Sequence, residues 1–172
     1  RLHKKKKFRV IAAGLISPKE ALFSAILIIV FTFSISIFFN FLLFMILMTY
    51  LILQIFYSNG LKNIPLIELF LVASGFVLRT LSGGVVSSLA ISPWFMISVG
   101  LVSLFLVVEK RKEELIVSKK NKSITRKVLY TYSYGLLQRY EILLASCAFF
   151  TYALWASGPL LNGAPSRWMI LT

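Results

Sequence analysis

Six consecutive charged residues, Glu109-Lys-Arg-Lys-Glu-Glu114, stand between an apolar run and Leu115. Lysine and arginine at a helix end facing a cavity would hold phosphate groups, arginine through its planar fork and lysine as a point charge. The same cations would also serve as a cytoplasmic membrane anchor. The interleaved Glu109, Glu113 and Glu114 weaken the anchor reading, because anchoring has no use for acids. The run His3-Lys-Lys-Lys-Lys7-Phe-Arg9 carries the same two readings, phosphate contact or attraction to anionic lipid. Glu68 and Arg79 lie inside an otherwise apolar stretch. A charge at a bilayer centre costs at least about 2.5–3.5 kcal/mol, so each needs a partner or an aqueous cavity. Eleven residues of helix leave a net rotation of about 20° and a rise of about 16 Å, so the two share a face without touching. That face reads as the wall of a polar cavity; the alternative is two structural charges, each satisfied by neighbouring helices.

The residues for soluble-enzyme chemistry are missing. All six acids are glutamates, Glu20, Glu68, Glu109, Glu113, Glu114 and Glu141, so no Ser-His-Asp set exists. His3 is the single histidine and has no ligand set around it, and Cys147 is the single cysteine. No CxxC, HExxH or GxxxxGK pattern occurs, so the residues themselves offer no metal site and no phosphate-binding loop. The lone cysteine also excludes a disulfide-stapled module.

These side chains must be positioned by membrane helices. The chain has 172 residues, 58% of them hydrophobic, with a net charge of +13 and a mean hydropathy of +0.84. Its length suggests a single domain, 1–172. Its apolar content exceeds the roughly 45–50% of ordinary soluble domains and excludes a disordered basic tail. From Ala21 to Leu61 no charge occurs over 41 residues, about two crossings at roughly 20 residues each. Asn40 falls where a tight connection belongs, which predicts helices at about 21–39 and 41–57. A third span is predicted from Pro65 to about Ser88, a fourth from Pro93 to Val108, and a fifth from about Leu136 to Ala156. The fold class is therefore all-α, a polytopic transmembrane bundle.

Charge sets the orientation. Segments 1–20, 58–64 and 109–135 hold sixteen of the nineteen basic residues. With five spans these segments lie on one side, which the positive-inside rule makes cytoplasmic. The sorting of charge by membrane side also excludes nucleic acid as the partner of this basic chain; the lipid bilayer takes that place. Tyr130, Tyr132 and Tyr134 read as interfacial residues, and Trp94, Trp155 and Trp168 as a belt on the far side. Ala73, Ser74, Gly75, Ser82, Gly83 and Gly84 should let another helix approach the third span closely.

Several segments together resemble the UbiA superfamily of membrane transferases. Arg1-Leu-His3-Lys-Lys-Lys-Lys7-Phe-Arg9-Val-Ile-Ala-Ala-Gly14 is similar to the stretch that follows that family's first aspartate-rich motif, with Lys4 and Val10 in place of two prolines. Tyr57-Ser-Asn-Gly-Leu-Lys62 matches its tyrosine-to-lysine connection. Ser74-Gly-Phe-Val-Leu-Arg79 with Gly83, Ser92-Pro-Trp-Phe95, and Lys110-Arg111 with Glu114-Leu115 resemble the decaprenyl-phosphate phosphoribosyltransferase branch. Glu68 aligns with a branch-marker aspartate, and Glu109 stands where the family usually has glycine.

The resemblance implies a nine-span fold in the plasma (inner) membrane. It implies transfer of 5-phosphoribose from phosphoribosyl diphosphate to a polyprenyl phosphate, for cell-envelope (cell-wall) glycan precursors. It implies Mg²⁺ as cofactor and a substrate site drawing on Arg1, Lys6, Arg9, Tyr57, Lys62, Glu68, Arg79, Lys110, Arg111 and Glu114. Lys110 and Arg111 would contact donor phosphates, Lys62 and Tyr57 would close the rim, and Arg79 would order a deeper phosphate or the Glu68 carboxylate. Glu114 would orient Lys110 or Arg111, or bind the donor ribose. The family's metal motif precedes the position of Arg1, so the chain reads as an internal fragment, inactive alone. The alternatives are an aromatic prenyltransferase using a polyprenyl diphosphate donor, and a non-catalytic membrane subunit.

Overall fold

The computed structural model describes residues 14–120 and 127–157, with the side chains of 119, 120, 127 and 130 left aside. Among the described residues there are five α-helices: α1 Pro18–Phe39, α2 Phe41–Ser58, α3 Ile67–Val86, α4 Pro93–Lys120 and α5 Tyr134–Ser157. All five are long and apolar enough to cross a membrane. Short 3-10 helices at Leu61–Asn63 and Lys127–Tyr130 precede α3 and α5.

The helix ends follow local chemistry. α1 begins three residues earlier than its apolar run because Ser17 and Glu20 form a capping box. The Glu20 N–H donates to Ser17 Oγ at 3.2 Å, and the Ser17 N–H donates to the Glu20 carboxylate at 2.9 Å. Asn40 is the single residue between α1 and α2. Its backbone is extended, and its side-chain oxygen accepts the Leu42 N–H at 2.8 Å, starting the next helix as an N-cap does.

The expected end of the fourth span at Val108 is not the end of the helix. α4 runs on to Lys120. Glu, Lys and Arg are strong helix formers, and the pairs Glu109–Lys112 and Arg111–Glu114 stand three residues apart on the helix surface. Leaving the membrane changes the solvent around the helix, not the preference of its residues.

The chain divides into two compact units, Arg1–Phe44 and Met45–Thr172. In the first, α1 is apolar all round, and only Ser36 among its residues is buried. Such a helix is suited to lipid or to a covering protein on every face. Phe33 and Phe44 meet edge-on with ring centroids 5.5 Å apart. In the second unit, α4 packs between α3 and α5. The core holds Leu69 of α3, Val107, Val108 and Leu115 of α4, Leu137 of α5, and Val128, Leu129 and Tyr132 of the connection. The connection after α4, which hydropathy marks only as polar, thus supplies core through Val128, Leu129 and Tyr132.

The small residues of α3 act at two points. A Cβ on Gly75 would lie 3.3 Å from Tyr50 Cε2, so glycine lets α2 approach. A Cβ on Gly84 would overlap the Ile91 side chain, so glycine admits the chain returning into α4. We expect Gly84→Val to cost about 1–3 kcal/mol by overpacking. Gly83→Ala, with nothing within 4 Å of its new Cβ, should leave stability unchanged. Thermal unfolding in detergent measures both, and equal losses would contradict this account.

Candidate functional site

The charged extension of α4 is a cluster of ion pairs. Successive helix residues point about 100° apart, so Arg111 and Lys112 reach different neighbours. Arg111 turns to α3, with its Nε 2.9 Å from Glu68 Oε1 and its Nη1 2.5 Å from Glu114 Oε2 on its own helix. Lys112 turns to α5. Its ammonium pairs with Glu141 there and with Glu109 of α4 at 2.8 Å. Each of the two cations stands between two carboxylates. The Glu68 and Arg111 side chains are 0% and 2% exposed, so each needs the other to offset its desolvation, and Glu114 adds to that on the arginine side. Lys110, one residue away, is exposed, as are Glu113 on α4 and Lys62 on the 3-10 helix before α3.

The start of α3 is fixed by an unusual turn. Leu66 has φ 64° and ψ −50°, and the Ile67 N–H donates across it to the Pro65 carbonyl at 2.8 Å. This is a three-residue turn of the strained hand, costing on the order of 1–3 kcal/mol for a residue with a side chain. The Leu66 N–H donates to the Tyr132 hydroxyl at 2.8 Å. Tyr132, expected at the membrane interface, is therefore a core residue, 5% exposed. Burial pushes its phenol above the ordinary tyrosine value, so the hydroxyl stays protonated.

Arg79 sits elsewhere. It is exposed, donates to the Tyr50 hydroxyl at 3.1 Å, and lies 5.7 Å from the ring centroids of Tyr50 and Phe76. It borders a cavity of about 140 Å³ between α2 and α3 and one of about 550 Å³ among α3, α4 and α5. The larger cavity is mostly aromatic and aliphatic, with Thr80, Ser98, Ser103 and Tyr152 as its hydroxyl-bearing residues. Glu68 lines neither. The expected polar wall shared by Glu68 and Arg79 is thus corrected: Glu68 is a structural charge held by the neighbouring helix. The reason is the long α4, which carries Arg111 to the level of Glu68.

The structure therefore brings together Glu68, Arg111 and Glu114 and separates them from Lys110 and Arg79. Tyr57 is half-buried near the end of α2. Arg1, Lys6 and Arg9 lie outside the described residues. Sequence reasoning missed Lys112, Glu141 and Tyr132. A lysine and an acid 29 positions apart, or a tyrosine 66 positions from its partner, leave no local signal. The adjacent apolar pair Val128-Leu129 within a polar stretch was an available hint, and both are buried.

A model of the UbiA prenyltransferase family matches residues 1–171. The decaprenyl-phosphate phosphoribosyltransferase of Mycolicibacterium smegmatis is 33% identical over 156 residues, 91% of this chain and 49% of that protein. The protein of the same name from Corynebacterium glutamicum is 34% identical over 161 residues, 90% of this chain and 47% of that protein. That of Mycobacterium tuberculosis is 31% identical over 156 residues, 91% and 52% respectively. The chain spans about half the length of the curated relatives it matches.

Removing one side of the buried pair should be costly. We expect Glu68→Gln to destabilise by about 3 kcal/mol, because it leaves the Arg111 charge underpaired in the interior. Glu114→Gln, at a side chain 27% exposed, should cost less than about 1 kcal/mol. Unfolding by SDS in mixed micelles reads the difference, and equal small losses would show that the pair is not buried as described.

Proposed function

The chain belongs to the UbiA prenyltransferase family, and on that premise we propose that it acts in transferring 5-phosphoribose from phosphoribosyl diphosphate to a polyprenyl phosphate, for cell-envelope glycan precursors. The observation that carries this reading is its likeness, along most of its length, to proteins named decaprenyl-phosphate phosphoribosyltransferase. Its five spans make it an integral membrane protein. We place its basic segments 1–20, 58–64 and 109–135 on the cytoplasmic face of the plasma membrane, where lysine and arginine accumulate.

The transfer forms a bond from a lipid-phosphate oxygen to the anomeric carbon. It breaks the bond from that carbon to diphosphate, which leaves with the electron pair. The acceptor oxygen is already anionic, so no general base is assigned. Lys110 and Lys62, both exposed, contact donor phosphates and offset the charge that the departing diphosphate develops. Tyr57 closes the same rim. Arg111 takes a different part from Lys110. Engaged by Glu68 and Glu114, it fixes the stretch of α4 from which Lys110 projects. Arg79 stands eleven residues along α3 from Glu68, about 16 Å deeper, beyond a phosphate held at that level. UbiA-family transferases generally use a divalent metal, and the resemblance implies Mg²⁺. The described residues do not fit one: no group of three or more His, Cys, Asp or Glu among them could hold an ion, and the sequence has no aspartate. No role here is routed through it.

Membranes carrying the whole protein, given labelled phosphoribosyl diphosphate, should yield labelled lipid on extraction. Lys110→Ala should lower that labelling more than tenfold at equal expression. A protein that leaves the lipid unlabelled would overturn the transfer reading and favour a polyprenyl diphosphate donor or a non-catalytic subunit. Undiminished labelling in the variant would remove Lys110 from the site.

A further inference from the structure

The turn before α3 and the connection after α4 meet at one hydrogen bond, and that bond holds one of the two non-glycine residues with positive φ among the described residues. Leu66 keeps a φ of 64°, a region that a leucine occupies only under constraint. The Tyr132 hydroxyl supplies the constraint by accepting the Leu66 N–H at 2.8 Å. Packing does not need that hydroxyl. A phenylalanine would fill the same space among Val128, Leu129 and Leu137, so the oxygen is there for the turn.

What the turn sets is the azimuth at which α3 begins. Glu68 follows two residues later, and its side chain has no exposure with which to adjust. If the turn relaxes to negative φ, Glu68 swings from Arg111, and α4 loses its tie to α3 one residue from Lys110. We propose that Tyr132 is a positioning residue for the donor-phosphate site, acting through the Leu66 turn, Glu68 and Arg111 on the placement of Lys110. This rests on the phosphoribosyl-transfer reading. It predicts that the hydroxyl is felt in donor affinity although it lies in the connecting segment.

The test uses the whole protein in membranes, with three variants. Tyr132→Phe should raise KM for phosphoribosyl diphosphate about tenfold while kcat stays within about twofold. Tyr134→Phe, at an exposed tyrosine, should change neither. Leu66→Gly added to Tyr132→Phe should bring KM back to within about threefold of wild type, because glycine enters positive φ without a side-chain clash. A merely structural hydroxyl would behave differently. Glycine would then leave KM raised or raise it further, and that outcome overturns the proposal, as does an unchanged KM in Tyr132→Phe. Hydrogen exchange at the Leu66 amide separates this proposal from the function it rests on. It should quicken at least tenfold in Tyr132→Phe whether or not lipid is labelled, and unchanged exchange would show that the latch does not exist. Wild-type protein that labels no lipid would instead overturn the function, and with it the role at a donor site, while the exchange result still decides the latch.

Discussion

A buried charge must be paired, and much of the second unit is arranged around one such requirement. Glu68 and Arg111 are almost wholly removed from solvent and meet at 2.9 Å. Neither is tolerable without the other, since a single uncompensated ion in the interior costs several kcal/mol. The pair therefore fixes the register of α3 against α4, and it does so at the level where α4 leaves its apolar stretch. α4 must remain helical past Val108 to present Arg111, α3 must begin abruptly after Pro65 to present Glu68, and the strained Leu66 turn is what that abruptness requires. Lys112 repeats the logic one residue on, tying α4 to Glu141 of α5. Two adjacent cations thus clamp one helix to two neighbours.

The bilayer explains why so little else is buried. Without water there is no hydrophobic drive between helices, so close approach falls to small residues and to polar contacts. Gly75 beneath Tyr50 and Gly84 beneath Ile91 are such approaches. Ser98 on Thr151, at 3.1 Å, is such a contact between α4 and α5. Many large apolar side chains, Phe23, Phe31, Phe149 and Phe150 among them, are exposed. On a soluble protein that surface would be an aggregation hazard; on spanning helices it is the lipid-facing or protein-covered exterior.

The sequence made the spans legible because hydropathy and the absence of charge are local and additive. Asn40 as the α1–α2 connection and the starts of α3 and α4 fall within a few residues of where composition puts them. The segment 109–135 was not legible as structure, because polarity marks where a membrane ends and says nothing of where a helix does. Glu68 was legible as a residue that needs explaining, yet its partner was not, since the expected end of the span at Val108 put Arg111 at a helix end facing a cavity and not against α3. Tyr132 was hidden for another reason. A tyrosine beside a membrane is ordinarily interfacial, and only tertiary contact reveals one whose hydroxyl holds a backbone turn.

The charge balance around α4 bears on how an anionic donor would be told where to bind. Arg111 and Lys112 are each flanked by two carboxylates, so both cations are already engaged inside the unit. Among the described residues, cations that face solvent near this end include Lys110 on α4, Lys62 before α3 and Arg139 on α5. On the proposed transfer reading, an anion approaching this end of the unit meets carboxylates along the ion-pair cluster and exposed cations at its rim. Specificity often needs such a repulsive element beside the attractive one. The acids of the Glu109–Glu114 run, which a membrane anchor would not need, acquire a purpose on this view: Glu109 and Glu114 engage Lys112 and Arg111 and hold the helix, and on the proposed transfer reading phosphate is left to exposed cations such as Lys110.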